Sequence, residues 1–159
     1  MRALRGDHDA TGLAFGIAAA SFNERHVQRL VEGALDTLRR QGARDEDLRL
    51  AWVPGSLELP LAASWLARGA TAGGRAPAAV LAFGVILRGE TEHFRLVADQ
   101  CARGLLEVSL AADVPVLNGV LACHDVGQVE ARLGGTVGHT GVSTALAAIQ
   151  MARLRGQMS

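Results

Sequence analysis

Four times in succession an apolar run of strand length gives way to a segment with helical periodicity, and this alternation constrains the fold more than anything else in the chain. The runs are "LAFGIAAAS" (13–21), "LRLAWVPG" (48–55), "AAVLAFGVIL" (78–87) and "VPVLNGVLA" (114–122). The first shows no polar/apolar alternation, which suits a strand covered on both faces. Between the first two, Val27, Leu30, Val31, Ala34, Leu35 and Leu38 recur at helical spacing, and Gly42 supplies a stop. "LELPLAASWLARG" reads as a second helix with Pro60 in its first turn, where a missing N–H costs little. After a turn at 69–77 and the third run comes a long helix, "TEHFRLVADQCARGLLEVSLAA" (91–112). The fourth run leads to a short helix at 126–133, a glycine-rich bend "GGTVGHTG" and a closing helix at 142–154. The expectation is one α/β domain, residues 13–159, in a three-layer sandwich: a four-stranded parallel sheet with right-handed crossovers and helices on both faces. Residues 1–12 lack periodicity and are expected to form a flexible N-terminal arm.

Composition narrows the function classes. A formal net charge of zero gives no basic footprint for nucleic acid or an anionic membrane. All 16 basic residues are arginine, so a Schiff-base lysine and a phosphate loop with its usual lysine are both excluded. Cys101 and Cys123 are too few for a disulfide framework and suit buried thiols in a reducing compartment. No apolar run reaches the ~20 residues of a membrane span. The N-terminus lacks the apolar core of a signal peptide, so a soluble, cytoplasmic protein is expected.

In a parallel α/β sheet, ligands bind beyond the carboxyl ends of the strands. That rule gathers Ser21-Phe22-Asn23, Pro54 to Glu58, Arg88 to His93 and Asn118 to Asp125 onto one rim. His93 falls in the first turn of the long helix. There the helix dipole opposes an imidazolium while Glu90 and Glu92 favour one, a balance that suits a proton shuttle. The competing reading is an ordinary helix-start histidine behind a Thr91 cap. Gly89-Glu90-Thr91 offers N–H groups and a hydroxyl to an anion, with Arg88 and Arg132 as candidate partners. Glu58 is placed to accept from ligand hydroxyls, or simply to complement a helix start. Phe22 is either a stacking platform or a packing residue. His124-Asp125 reads as a helix cap rather than a metal pair, with His139 far off in sequence. No metal-ligand spacing and no Gly-x-Gly-x-x-Gly fingerprint occurs.

Taken together, "SFNERHVQRLVEGAL", "VPGSLELPLAA", "AFGVILRGETEHF", "VPVLNGVL" and "GHTGVSTALAAIQMA" resemble the 6,7-dimethyl-8-ribityllumazine synthase family, in its order and spacing, from about Gly12 to Leu154. The resemblance implies a flavodoxin-like fold and condensation of 5-amino-6-ribitylaminouracil with 3,4-dihydroxy-2-butanone 4-phosphate, with no metal or redox cofactor. It implies that Phe22 stacks on the pyrimidine, and that Ser56, Leu57 and Glu58 hold the ribityl chain and ring edge. Val85, Ile86 and Leu87 would line the ring pocket, Glu90 and Thr91 would seat the phosphate with Arg132 closing on it, and His93 would shuttle protons. It further implies small-molecule substrates only, and a homo-oligomer of one or more pentamers whose neighbours share active sites. Asn118 stands where a neighbour usually contributes an aromatic ring. Thr136 and Thr140 stand where relatives commonly carry lysine, Ala131 where an acid often precedes the arginine, and Ala122-Cys123-His124 replaces a Thr-Thr-acidic run. Lost cations near an anionic transition state lower the rate, so a flavin- or lumazine-binding assembly with weakened catalysis is the alternative.

Overall fold

The computed structural model describes residues 1–69 and 71–158, so residue 70 of the expected 69–77 turn and the last residue of the expected domain lie outside it. Strands β1 (Phe15–Ala20), β2 (Leu48–Val53), β3 (Ala79–Phe83) and β5 (Val116–Asn118) pair in parallel in the order β2-β1-β3-β5. That order is the 2-1-3-4 start of a flavodoxin-like sheet. Helices α1 (Glu24–Arg40) and α5 (Thr140–Met158) cover one face, while α2 (Leu59–Arg68) and α3 (His93–Ala112) cover the other.

β1 shows why its sequence carries no alternation. Phe15, Ile17 and Ala19 point into the core under α1 and α5, with Leu30, Leu38 and Ile149. Ala18 and Ala20 point the other way, into the core under α2 and α3 with Leu59, Ala63 and Leu105. Both faces are dry, so every position is apolar or small. Gly16 permits close packing: a Cβ there would sit 3.0 Å from Leu66 Cβ.

Two of the four apolar runs are not single strands. The third breaks at Gly84 into β3 and β4 (Val85–Leu87), and the fourth breaks at Gly119-Val120 into β5 and β6 (Leu121–Cys123). β4 and β6 pair in parallel as a separate two-stranded ribbon. Crowding explains both glycines. A Cβ on Gly84 would lie 2.5 Å from Ser56 Oγ, and one on Gly119 would press on the Phe83 ring and on Ala82 O. The carboxyl ends of two strands therefore bend out of the main sheet together.

Other boundaries move less. The second helix opens with a 3-10 turn at Ser56–Glu58, and the long helix starts at His93 rather than Thr91. The short helix α4 (Val126–Ala131) stops at Ala131, because Leu133–Gly135 (β7) and Gly138–His139 (β8) form a small antiparallel hairpin. The closing helix is longer than expected, starting at Thr140.

Residues 1–12 form no helix or strand, but they pack along the C-terminal half of α5, where Gly6 abuts Gln150 and Gln157 Nε2 donates to Arg5 O at 2.9 Å. Ala10 is fully buried and its N–H donates to Gln41 O at 2.7 Å. The Arg153 guanidinium donates to Asp9 O (2.6 Å) and Thr11 O (2.8 Å). No helix among the described residues is long and apolar enough to cross a membrane.

Candidate active site

At the carboxyl end of the sheet the bend at Gly84 opens a cleft of about 430 Å³. Four separate segments line it. The loop after β1 gives Phe22, whose ring is 72% exposed and free to meet a planar ligand. The loop after β2 gives Pro54, Gly55, Ser56, Leu57 and Glu58. The bent strand β4 gives Val85, Ile86 and Leu87, and the start of α3 gives Gly89, Thr91 and His93.

Local sequence explains each placement. Asn23 takes the left-handed conformation (φ 60°) at the start of α1, which an Asn tolerates better than most residues. Its Nδ2 donates to Val85 O at 2.7 Å, so the residue that ends the β1 loop also pins β4. Ser21 N–H donates to Val53 O and Phe22 N–H to Pro54 O, tying the first two loops together. Ser56 is buried against Gly84, whereas Leu57 and Glu58 remain exposed on the wall of the cleft.

At the α3 end, the His93 N–H donates to Thr91 Oγ1 at a long 3.4 Å, while Glu92 occupies the cap position with no side-chain bond. Thr91 is thus a weak cap. Among the described residues, the backbone N–H groups of Gly89, Glu90 and Thr91 donate to nothing within the chain. A second, polar chamber of about 320 Å³ adjoins the cleft and shares Gly89, Thr91 and Phe94 with it; Arg88, Glu90, Arg95 and His124 line it. Donors without acceptors, at the positive end of a 20-residue helix, suit an anion.

Two expected residues do not join this group. Asn118 caps its own bend, its Oδ1 accepting from Val120 N–H at 3.0 Å. Arg132 ends α4 and donates through Nη1 to Gln128 O at 2.9 Å; neither residue lines the cleft of its own chain. His124 likewise lies outside the cleft proper, its ring edge-on to Phe94 at 6.2 Å, and Asp125 caps α4 by accepting from Gln128 N–H at 2.9 Å. Phe94 and Val97 line the cleft without having been singled out. The spacing Phe94-Val97-Cys101-Leu105 marks the inward face of α3 and is the signal that carries them.

Comparison with known proteins matches the whole domain. The profile of the 6,7-dimethyl-8-ribityllumazine synthase family covers residues 12–156. The chain belongs to this family. Its relatives include the 6,7-dimethyl-8-ribityllumazine synthases of Aquifex aeolicus, 43% identical, and of Clostridium kluyveri, 38% identical, each over 97% of both chains. The chloroplastic 6,7-dimethyl-8-ribityllumazine synthase of Arabidopsis thaliana is 41% identical over 90% of this chain and 61% of its own length. Membership fits the strand order and the cleft at the carboxyl ends, and all the residues lining that cleft except Val97 come from three of the five stretches that carry the resemblance.

Proposed function

We propose that this cleft is where the protein, as a transferase of riboflavin biosynthesis, condenses 5-amino-6-ribitylaminouracil with 3,4-dihydroxy-2-butanone 4-phosphate to give 6,7-dimethyl-8-ribityllumazine and phosphate. The observation that carries the assignment is the convergence of Phe22, Ser56 to Glu58, Val85 to Leu87, Thr91 and His93 on one cavity from three stretches far apart in the chain.

In this reading the pyrimidine stacks on Phe22, with its edge on the backbone of β4. Ser56, Leu57 and Glu58 hold the ribityl chain. The unspent N–H groups of Glu90 and Thr91 seat the phosphate, and Arg132 supplies the cation. The 5-amino group attacks the ketone and water leaves to form the imine. Elimination of phosphate and tautomerisation turn the neighbouring carbinol into a carbonyl, and the ribitylamino nitrogen closes the ring on it with loss of a second water. The substrate brings its own amine, so a chain without lysine lacks nothing for this step. His93 moves the protons, a contribution of about 10²–10⁴-fold in rate.

The same reading places the protein in a homo-oligomer of pentamers in the cytoplasm. Asn118 and Arg132 do not line the cleft of their own chain and, in this reading, serve a neighbour's. Leu61 and Trp65 on α2 and Leu106 and Leu110 on α3 are more than half exposed, and Trp52 lies on the edge strand β2. The test is turnover of both substrates to the fluorescent lumazine, with the uncatalysed reaction subtracted. Turnover that collapses in His93→Ala supports the assignment. Turnover no higher than the uncatalysed rate, with tight binding of a riboflavin-like ligand, would replace it with the binding assembly.

A further inference from the structure

The bend that follows Arg132 contains a half-buried histidine that the reaction does not use. His139 closes the β7–β8 hairpin, and its ring lies in a pocket made by glycines from three elements. A Cβ on Gly33 of α1 would collide with the ring, one on Gly141 of α5 would sit 3.1 Å from its Cε1, and one on Gly134 would touch its Cδ2 at 3.7 Å. Its Nδ1 is buried with no hydrogen-bond partner among the described residues. The next residue, Thr140, donates its N–H to Arg132 O at 2.9 Å, and Val137 N–H donates to Ala131 O, so the hairpin is stitched to the turn that presents Arg132. From the other side, Arg29 of α1 donates to Glu130 at 2.6 Å and to Leu133 O at 3.0 Å.

We propose that His139 is the positioning residue of Arg132: its ring, seated among the three glycines, fixes the turn from which the guanidinium reaches the substrate phosphate. The proposal rests on the assignment of Arg132 to the phosphate. Among the described residues Arg132 makes no ion pair and its side chain is held by the Gln128 carbonyl alone, so its aim depends on the backbone beneath it. That backbone is set by packing on α1 and α5, which the glycines bring within reach of the imidazole.

The seat holds the neutral ring. Burial and the nearby Arg29 guanidinium both disfavour the imidazolium. The charged groups that line the cavity beside it are Arg29, Glu32, Asp36 and Arg40, all from α1, and Glu130 of α4 joins them through its pair with Arg29. Glu130 is already engaged by Arg29 at 2.6 Å and by His26 at 3.4 Å. A hydrogen bond to its own backbone favours a proton on His139, but burial and the Arg29 charge outweigh it, so protonation strains the seat and releases the turn.

The experiment measures KM for each substrate, and kcat, for the wild type, His139→Ala, His139→Gln and Arg132→Ala between about pH 5.5 and 8, a range that brackets the ordinary imidazole value. Amide exchange of residues 132–140 is followed in parallel. His139→Ala is expected to raise KM for the phosphorylated butanone about tenfold and to speed exchange in the turn, leaving KM for the pyrimidine and kcat within about twofold. His139→Gln, which cannot titrate, is expected to stay near wild type at high pH. It should also lack part of the wild-type rise in KM as pH falls, the remainder being protonation of the substrate phosphate itself. If Arg132→Ala raises that KM and His139→Ala does not, the phosphate assignment stands and the positioning role is overturned. If both substrates suffer equally in His139→Ala, the residue is structural only and the proposal fails. No effect of Arg132→Ala overturns the phosphate assignment and the positioning role with it.

Discussion

The two ends of the parallel sheet use charge in opposite ways. At the amino end, just before β2, Asp47 is fully buried and its Oδ2 accepts from Arg44 Nε at 2.8 Å and lies 3.5 Å from Arg75. Gly73 packs on the same carboxylate and donates its N–H to Glu46 O at 2.7 Å, so the loop before β3 is clamped to the loop before β2. At the carboxyl end, Phe22, Glu58, Glu90 and His93 are exposed, and Arg88 and Arg95 have no carboxylate partner among the described residues. Groups already paired with one another hold the fold and have little left to offer a ligand. Groups left unpaired contribute little to stability and are available to one.

Substitutions at the two ends should therefore separate rate from stability. The largest expected effect is His93→Ala, a loss of about 10²–10⁴ in turnover with an unchanged melting temperature. A melting temperature that falls alongside the rate would mean His93 also holds the start of α3. Next is Phe22→Ala, expected to raise KM for the pyrimidine about tenfold, the scale of one lost stacking contact, with no change in thermal stability because the ring is exposed. At the other end, Asp47→Asn should lower the melting temperature by several degrees while both KM values stay within about twofold. Loss of activity before loss of structure would break the comparison.

The smallest effects are those of pH, and they differ between regions. Hydrogen bonding from Arg44, reinforced by the charges of Arg44 and Arg75, holds the Asp47 carboxyl below its ordinary value. Its stabilising contribution is complete above about pH 4 and is lost as pH falls through the lower folded value. His139 is also lowered, by burial first, but the neutral form is the folded one. Its contribution is complete above the unfolded value of about 6.5 and is lost as pH falls below it. Urea titrations at stepped pH should show a shallow loss of stability first, absent in His139→Gln, and a second, absent in Asp47→Asn, at lower pH.

The sheet, its helices on both faces and the rim that carries the site were legible because each rests on local information. A dry strand needs apolar residues on both faces, a helix needs its period, and the loops after the strands are fixed by connectivity. The same logic found Phe22, Ser56, Leu57, Glu58 and Thr91, which all come from those loops. It could not see the break inside "AAVLAFGVIL", because a run that stays apolar carries no mark of a bend. Gly84 bends because Ser56 and Leu59, far away in the chain, fill the space where a Cβ would stand. Nor could it see that "GDHDATG" at the N-terminus supplies backbone carbonyls to Arg153, since a carbonyl acceptor has no sequence signature.

Periodicity, composition and motif order thus settled the class of fold, the end of the sheet where the cleft opens and, through the family resemblance, the chemistry. Tertiary structure decided which of those residues share a cavity, left Asn118 and Arg132 outside it and Glu90 in the adjoining chamber, and placed His139 among glycines at 33, 134 and 141. The physical reason is range. Hydrophobic period and turn chemistry act between neighbours along the chain, whereas a packing void or a bend forced by crowding exists only where distant segments meet.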